Sequence, residues 1–135
     1  MFPGSLSHSL IGKALNEGIW SLEIIDLRDF SSNKRGSIDD KPFGGGPGMV
    51  IRPDVIEYAI QKTQENMEIN LPLVYMTPVG ETLVQNKLRK FAKGPGLTIL
   101  CGRFEGVDER VLDAHKVEKI SLGDYILPSG ETAAM

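Results

Sequence analysis

"GLTILCGRFEG", residues 96–106, places a short apolar run between two glycines and follows it directly with a second glycine-bearing stretch. A run this short and this uniformly apolar reads as a strand buried on both faces, the habit of parallel sheets. The loop "GRFEG" then leaves its carboxyl end, which is where open α/β sheets bind ligands. Working outward, "LPLVYM" (71–76) is a second apolar strand, and "TPVG" (77–80) turns the chain. A helix with Leu83, Val84, Leu88 and Phe91 on one face follows. On the other side, "VDERVLDAH" (107–115) reads as a helix and "VEKISL" (117–122) as a strand that empties into the loop "GDYILPSGE". Strand and helix alternate, so the expected class is α/β with a mostly parallel sheet. If the strands are neighbours, the loops after Met76, Cys101 and Leu122 converge on one crevice.

Upstream the pattern is less regular. Leu6, Leu10, Ile11, Ala14 and Leu15 fall at helical spacing within residues 5–17, with Ser5 as a cap and Gly18 as a stop. "IWSLEIIDL" (19–27) is rich in β-branched and aromatic residues and predicts a strand. Residues 28–52 look irregular and contain "KPFGGGPGM" (41–49), whose glycines and prolines exclude a helix interior or a central strand. A phosphate-cradling loop would need Lys-Ser/Thr after its last glycine, whereas Gly48 is followed by Met49 and Val50. Pro53 suits the first turn of a helix bearing Val55, Ile56, Ala59 and Ile60. A first helix without a preceding strand, and a chain that stops at "ETAAM", give the expectation of a fragment or shortened version of a larger protein.

A chain of 135 residues, 41% hydrophobic and 24% charged, is one ordinary globular domain. Its formal net charge of −3 offers nucleic acid no global attraction, so RNA binding would rest on a local basic patch. The single cysteine, Cys101, excludes an internal disulfide and suits a reducing, cytoplasmic setting. No run reaches the length of a membrane span, and no signal-peptide pattern opens the chain. Rossmann, nucleophile-elbow and zinc-protease signatures are absent. Two separated histidines, His8 and His115, with one cysteine give no metal site, and each is read as structural or solvated.

Bare backbone remains. Glycine-rich loops can hold a planar heterocycle by main-chain hydrogen bonds, although any one of them alone is equally a tight turn. Glu105 and Asp124 would favour a cation or hydrogen-bond donors, and Arg103 could position an anion or stack on a base. Asp108 and Glu109 are as well explained by a helix start. The segment with Arg28, Lys34, Arg35 and Lys41 could touch phosphate or simply be solvated.

Taken in order, "DDKPFGGGPGM", "YMTPVG", "LCGRFEGVDERV" and "SLGDYILPSGE" closely resemble the bacterial tRNA (guanine-N1)-methyltransferases, across essentially all of the chain. The resemblance implies a SPOUT methyltransferase domain over residues 1–135, with helices on both faces of the sheet and a C-terminal trefoil knot. It implies a homodimer that methylates N1 of guanosine 37 in tRNA with S-adenosyl-L-methionine, a modification that protects the reading frame. It also implies that Tyr75, Thr77, Gly80, Gly102, Leu122, Gly123, Asp124, Tyr125, Ile126, Leu127 and Gly130 hold the cofactor, largely by backbone. Arg103, Glu105, Gly44, Gly45 and Gly46 would lie near the target nucleotide, and no metal is required.

Two departures accompany the resemblance. The family's short opening strand has no counterpart here, and its C-terminal tRNA-gripping domain, with the aspartate that acts as general base, would fall beyond Met135. The alternatives are therefore a non-catalytic fragment binding S-adenosylmethionine or RNA, and a SPOUT methyltransferase with another target.

Overall fold

In a computed structural model, residues 2–31, 37–41, 45, 48–103 and 106–135 are described. A single turn of 3-10 helix (Gly4–Ser7) leads into helix α1 (Ser9–Asn16), close to the expected amphipathic segment. His8 caps α1 rather than lying within it. A second 3-10 turn (Leu27–Phe30) begins at Asp26, whose side chain accepts a hydrogen bond from the Arg28 N–H at 2.9 Å.

The strand expected over residues 19–27 does not form. Residues 21–26 adopt no regular structure, and Ile19 and Ile24 are 74% and 55% exposed. A strand exists only through its ladder, and no described residues pair with this one. The Trp20 indole N–H instead donates to the Ile11 carbonyl at 3.1 Å, tying the segment back to α1.

Two-residue strands β1 (Asp39–Asp40) and β2 (Val50–Ile51) pair antiparallel, on either side of the glycine-rich stretch in sequence. Helix α2 (Pro53–Glu65) follows with proline in its first turn, where no N–H is needed, and buries Val55, Ile56, Ala59 and Ile60 as expected.

Strand β3 (Leu73–Thr82) is longer than the apolar run predicted. It pairs parallel to β5 twice over. Met76 and Glu81 both face Ile120, so residues 77–80 bulge out between them. The expected turn at "TPVG" is therefore an excursion, after which the same strand resumes. Helix α3 (Gln85–Lys93) starts later than expected and leaves Leu83 outside, with Val84 as its cap. The Leu83 N–H is held by the Ser121 carbonyl at 2.8 Å, which extends the pairing by one residue at the helix's expense.

Strand β4 (Thr98–Leu100), helix α4 (Glu109–Ala114), strand β5 (Glu118–Ser121) and helix α5 (Gly130–Ala134) complete the chain. The sheet order is β4-β3-β5, all parallel. Tyr75 and Leu100, opposite each other in register, pack with Ile51, Ile56, Ile60, Val111 and Leu112 from one face. Val74, one residue away and so on the other face, is 1% exposed, as is Ile120, so both faces are covered. The apolar β3 and β4 runs follow from this two-sided burial. His115 ends α4 and bonds Glu57 of α2 at 2.7 Å, a structural role. No helix among the described residues is long and apolar enough to cross a membrane.

Candidate functional site

Because β3 lies between β4 and β5 and all three run the same way, the loops leaving their carboxyl ends meet. They enclose an open cavity of about 360 Å³, within the size range of small-molecule sites. From β3 and its bulge come Tyr75 and Thr77. The loop after β4 contributes Gly102 and Arg103. The loop after β5 contributes Leu122, Gly123, Tyr125, Ile126, Leu127 and Gly130.

The remaining expected residues lie elsewhere. Gly80 is not on the cavity wall. A Cβ there would stand 2.5 Å from the Ile120 backbone nitrogen, so this glycine lets the end of the bulge rejoin β5. Asp124 also falls outside the lining residues. Gly45, in the glycine-rich stretch, has nothing within 4 Å of a Cβ position and does not reach the cavity. Gly44, Gly46 and Glu105 lie outside the described residues.

The Tyr75 ring braces the site from beneath. It is 7% exposed, and a Cβ built on Gly102 would meet its ring at 2.8 Å. The hydroxyl would lie 3.2 Å from a Cβ on Gly106. Burial pushes the phenol pKa up, with the negative charge of Glu109 adding to it and a hydrogen bond from the Val107 backbone opposing. Tyr75 is thus a neutral, packed support for the loop. Gly106 has φ +117, a backbone angle that side chains rarely allow, and its carbonyl accepts from the Ile51 N–H at 3.2 Å. That bond sets β2, at the exit of the glycine-rich connection, beside the cavity loop.

The third loop is closed by two contacts. The Gly123 N–H donates to Ser121 Oγ at 3.2 Å, and that hydroxyl donates to the Gly123 carbonyl at 2.9 Å. Further on, the Gly130 N–H donates to the Gly102 carbonyl at 2.8 Å, locking this loop against the one after β4.

Arg103 is the only charged side chain among the described lining residues. Its guanidinium meets Glu131 Oε1 at 3.1 Å. Burial works to raise the Glu131 pKa. Its own backbone N–H, the Ser129 hydroxyl and the Arg103 cation together outweigh that and hold the carboxyl below its usual range. The Ser129 effect acts without an aligned hydrogen bond, since Ser129 Oγ and Glu131 Oε2 are both buried and unpartnered among the described residues. Burial, reinforced by Glu131, pushes the Cys101 thiol up to about 11, so it is protonated and unreactive at neutral pH.

Sequence reading included Met76, Val79 and Ser129 in the expected loops without naming them as contacts, and it missed Ile120 and Ala133. Ala133 is three residues beyond Gly130 on the same helix face, a periodicity that would have found it once α5 was recognised as a helix. Val79 and Ile126 form an apolar rim and are 80% and 85% exposed. No group of three or more metal-ligating side chains occurs among the described residues.

A family model described as "tRNA (Guanine-1)-methyltransferase TrmD" matches residues 1–135. The chain is 52% identical over 134 residues to the tRNA (guanine-N(1)-)-methyltransferase of Rhodospirillum rubrum, covering 99% of this chain and 55% of that protein. It is 50% identical over 135 residues to the protein of the same name from Ehrlichia canis, covering 100% of this chain and 57% of that one. The chain thus spans about half the length of the curated relatives it matches.

Proposed function

The chain belongs to the tRNA (guanine-1)-methyltransferase family, and from that premise we propose that it forms the S-adenosyl-L-methionine-binding part of an enzyme methylating N1 of guanosine 37 in tRNA. One observation supports this reading above the others: three strand-end loops close on a single cavity whose walls are mostly apolar and backbone.

The donor, when bound, supplies a methyl group on a sulfonium, a good leaving group that needs no metal. The chain's own task is to hold and align. Leu122, Tyr125, Ile126 and Leu127 would cover the donor's apolar surfaces, and the main chain at Gly102 and Gly130 would meet its polar edges. The close packing of Tyr75, Gly102 and Gly130 makes that wall rigid, which suits a reaction limited by positioning. Arg103, on the wall and half-exposed, would stabilise negative charge developing on guanine O6 as N1 loses its proton. The described cavity wall carries no carboxylate, so the proton acceptor is assigned to none of these residues.

The proposal extends to a knotted C-terminal topology and a cytoplasmic homodimer. Docking of α5 against β3 and of Gly130 onto Gly102 supports the first. The exposed apolar rim at Val79 and Ile126 suits a partner subunit.

A second reading, a binding module without catalysis, draws on the absence of a carboxylate among the described wall residues. Two measurements separate the readings. Calorimetry with S-adenosylhomocysteine tests the cavity, and absence of heat from folded protein would refute both. Methyl transfer to a tRNA transcript bearing guanosine at position 37, lost when that base is replaced, is expected for the enzyme. Binding without transfer by the full-length protein would leave only the module.

A further inference from the structure

Between Leu127 and Ala133, the cavity wall is built from Leu127, Pro128, Ser129, Gly130 and Ala133. Ser129 supplies the only polar side chain in this stretch of wall. It is 8% exposed, and its hydroxyl has no hydrogen-bond partner among the described residues. A buried hydroxyl left in this state destabilises the protein that carries it.

The ordinary use for a serine here is not made. Ser129 immediately precedes α5, where a serine side chain usually accepts a bond from a backbone N–H in the first turn. It makes no such bond. In the same turn Glu131 Oε1 accepts a hydrogen bond from the Arg103 guanidinium at 3.2 Å. Glu131 Oε2, like Ser129 Oγ, is buried and unpartnered among the described residues. A serine hydroxyl carries two acceptor lone pairs, which Ser129 Oγ can offer the cavity.

We propose that Ser129 Oγ is a ligand contact, accepting a hydrogen bond from an amino group of the bound methyl donor. The inference rests on the reading of the cavity as the S-adenosylmethionine site. The donor has two such groups, the exocyclic amine of its adenine and the ammonium of its amino-acid part, and both present N–H to an acceptor.

The test uses Ser129→Ala in the full chain with S-adenosylhomocysteine as probe. Removing an unsatisfied hydroxyl should leave the ligand-free Tm unchanged or raise it, while affinity by calorimetry falls about tenfold. Two further probes locate the contact. 5′-Methylthioadenosine lacks the amino-acid ammonium, and S-inosylhomocysteine lacks the exocyclic amine. The difference between wild type and variant should vanish for the probe missing the contacted group and persist for the other. Equal affinity of variant and wild type for S-adenosylhomocysteine would overturn the proposal while leaving the donor site intact. A lower ligand-free Tm with unchanged affinity would overturn it by making Ser129 a structural cap. A tenfold loss persisting with both truncated probes would overturn the assignment to an amino group. No binding of any probe by the folded wild type would overturn the donor site itself, and this contact with it.

Discussion

Gly130 and Gly102 are joined by a 2.8 Å hydrogen bond from the N–H of the first to the carbonyl of the second, and neither position has room for a side chain. A Cβ on Gly130 would stand 2.7 Å from the Gly102 nitrogen and 2.8 Å from Cys101 Cα. These neighbours are main chain and cannot rotate aside. The beginning of α5 and the loop after β4 thus form one rigid corner of the cavity.

Gly130→Ala should therefore cost about 1–3 kcal/mol of stability through overpacking, and weaken donor binding as the corner opens. Urea denaturation with parallel calorimetry checks both. A variant with the wild-type midpoint would show that the two segments do not abut.

At Gly102 the obstacle differs. The neighbour is the ring of buried Tyr75, 2.8 Å from a Cβ position. The resemblance alone suggests a glycine kept small for a ligand, with Gly102→Val losing binding and little stability. The geometry instead makes Gly102→Ala and Gly102→Val lose both, with alanine costing about 1–3 kcal/mol. Thermal unfolding of the two variants decides it. Intact stability with lost binding would restore the ligand-facing role.

Glu131 has a pKa below its ordinary 4.5, with burial opposed and outweighed by hydrogen bonds and the Arg103 charge. A depressed carboxyl contributes stability that is present above its unfolded pKa and lost as pH falls through the folded value. The expected loss lies below about pH 4.5, and Asp26 and Asp108, also lowered, add to it. Their main partners, Arg28 and Arg110, are well exposed, so their shares are small. Arg103→Ala should raise the Glu131 pKa, read by NMR titration of its carboxyl. An unmoved titration would remove Arg103 as its partner.

Cys101 should resist alkylation. With its thiol pushed up to about 11, iodoacetamide at pH 8 should react at least tenfold more slowly with native than with urea-unfolded protein. The same shift has a stability consequence of opposite sign to that of Glu131. The unfolded thiol ionises first, so stability declines as pH rises from about 9 towards 11. Equal alkylation rates in the two states would place the thiol at the surface.

Much of the core region was legible because its periodicity has a single physical solution. Val55, Ile56, Ala59 and Ile60 at helical spacing can be buried together only on one side of α2, and the apolar β3 and β4 runs suit only a sheet covered on both faces. The order of strand, loop and helix then placed three glycine-bearing loops at carboxyl strand ends. Pattern failed where a partner decides the structure. "IWSLEIIDL" has strand composition yet no ladder, and composition cannot supply a neighbour. Residues 77–80 read as a turn, but only pairing of both Met76 and Glu81 with Ile120 shows the strand resuming beyond it.

By itself, the sequence determined the class of fold, the family and the loops that matter, since these depend on residue type and local spacing. Tertiary structure alone decided that those loops share one cavity, that Gly80 and Asp124 stand off its wall, and that the Ser129 side chain does not cap α5. Such distinctions depend on distances between segments remote along the chain, which hydrogen bonding and close packing set only once the sheet has assembled.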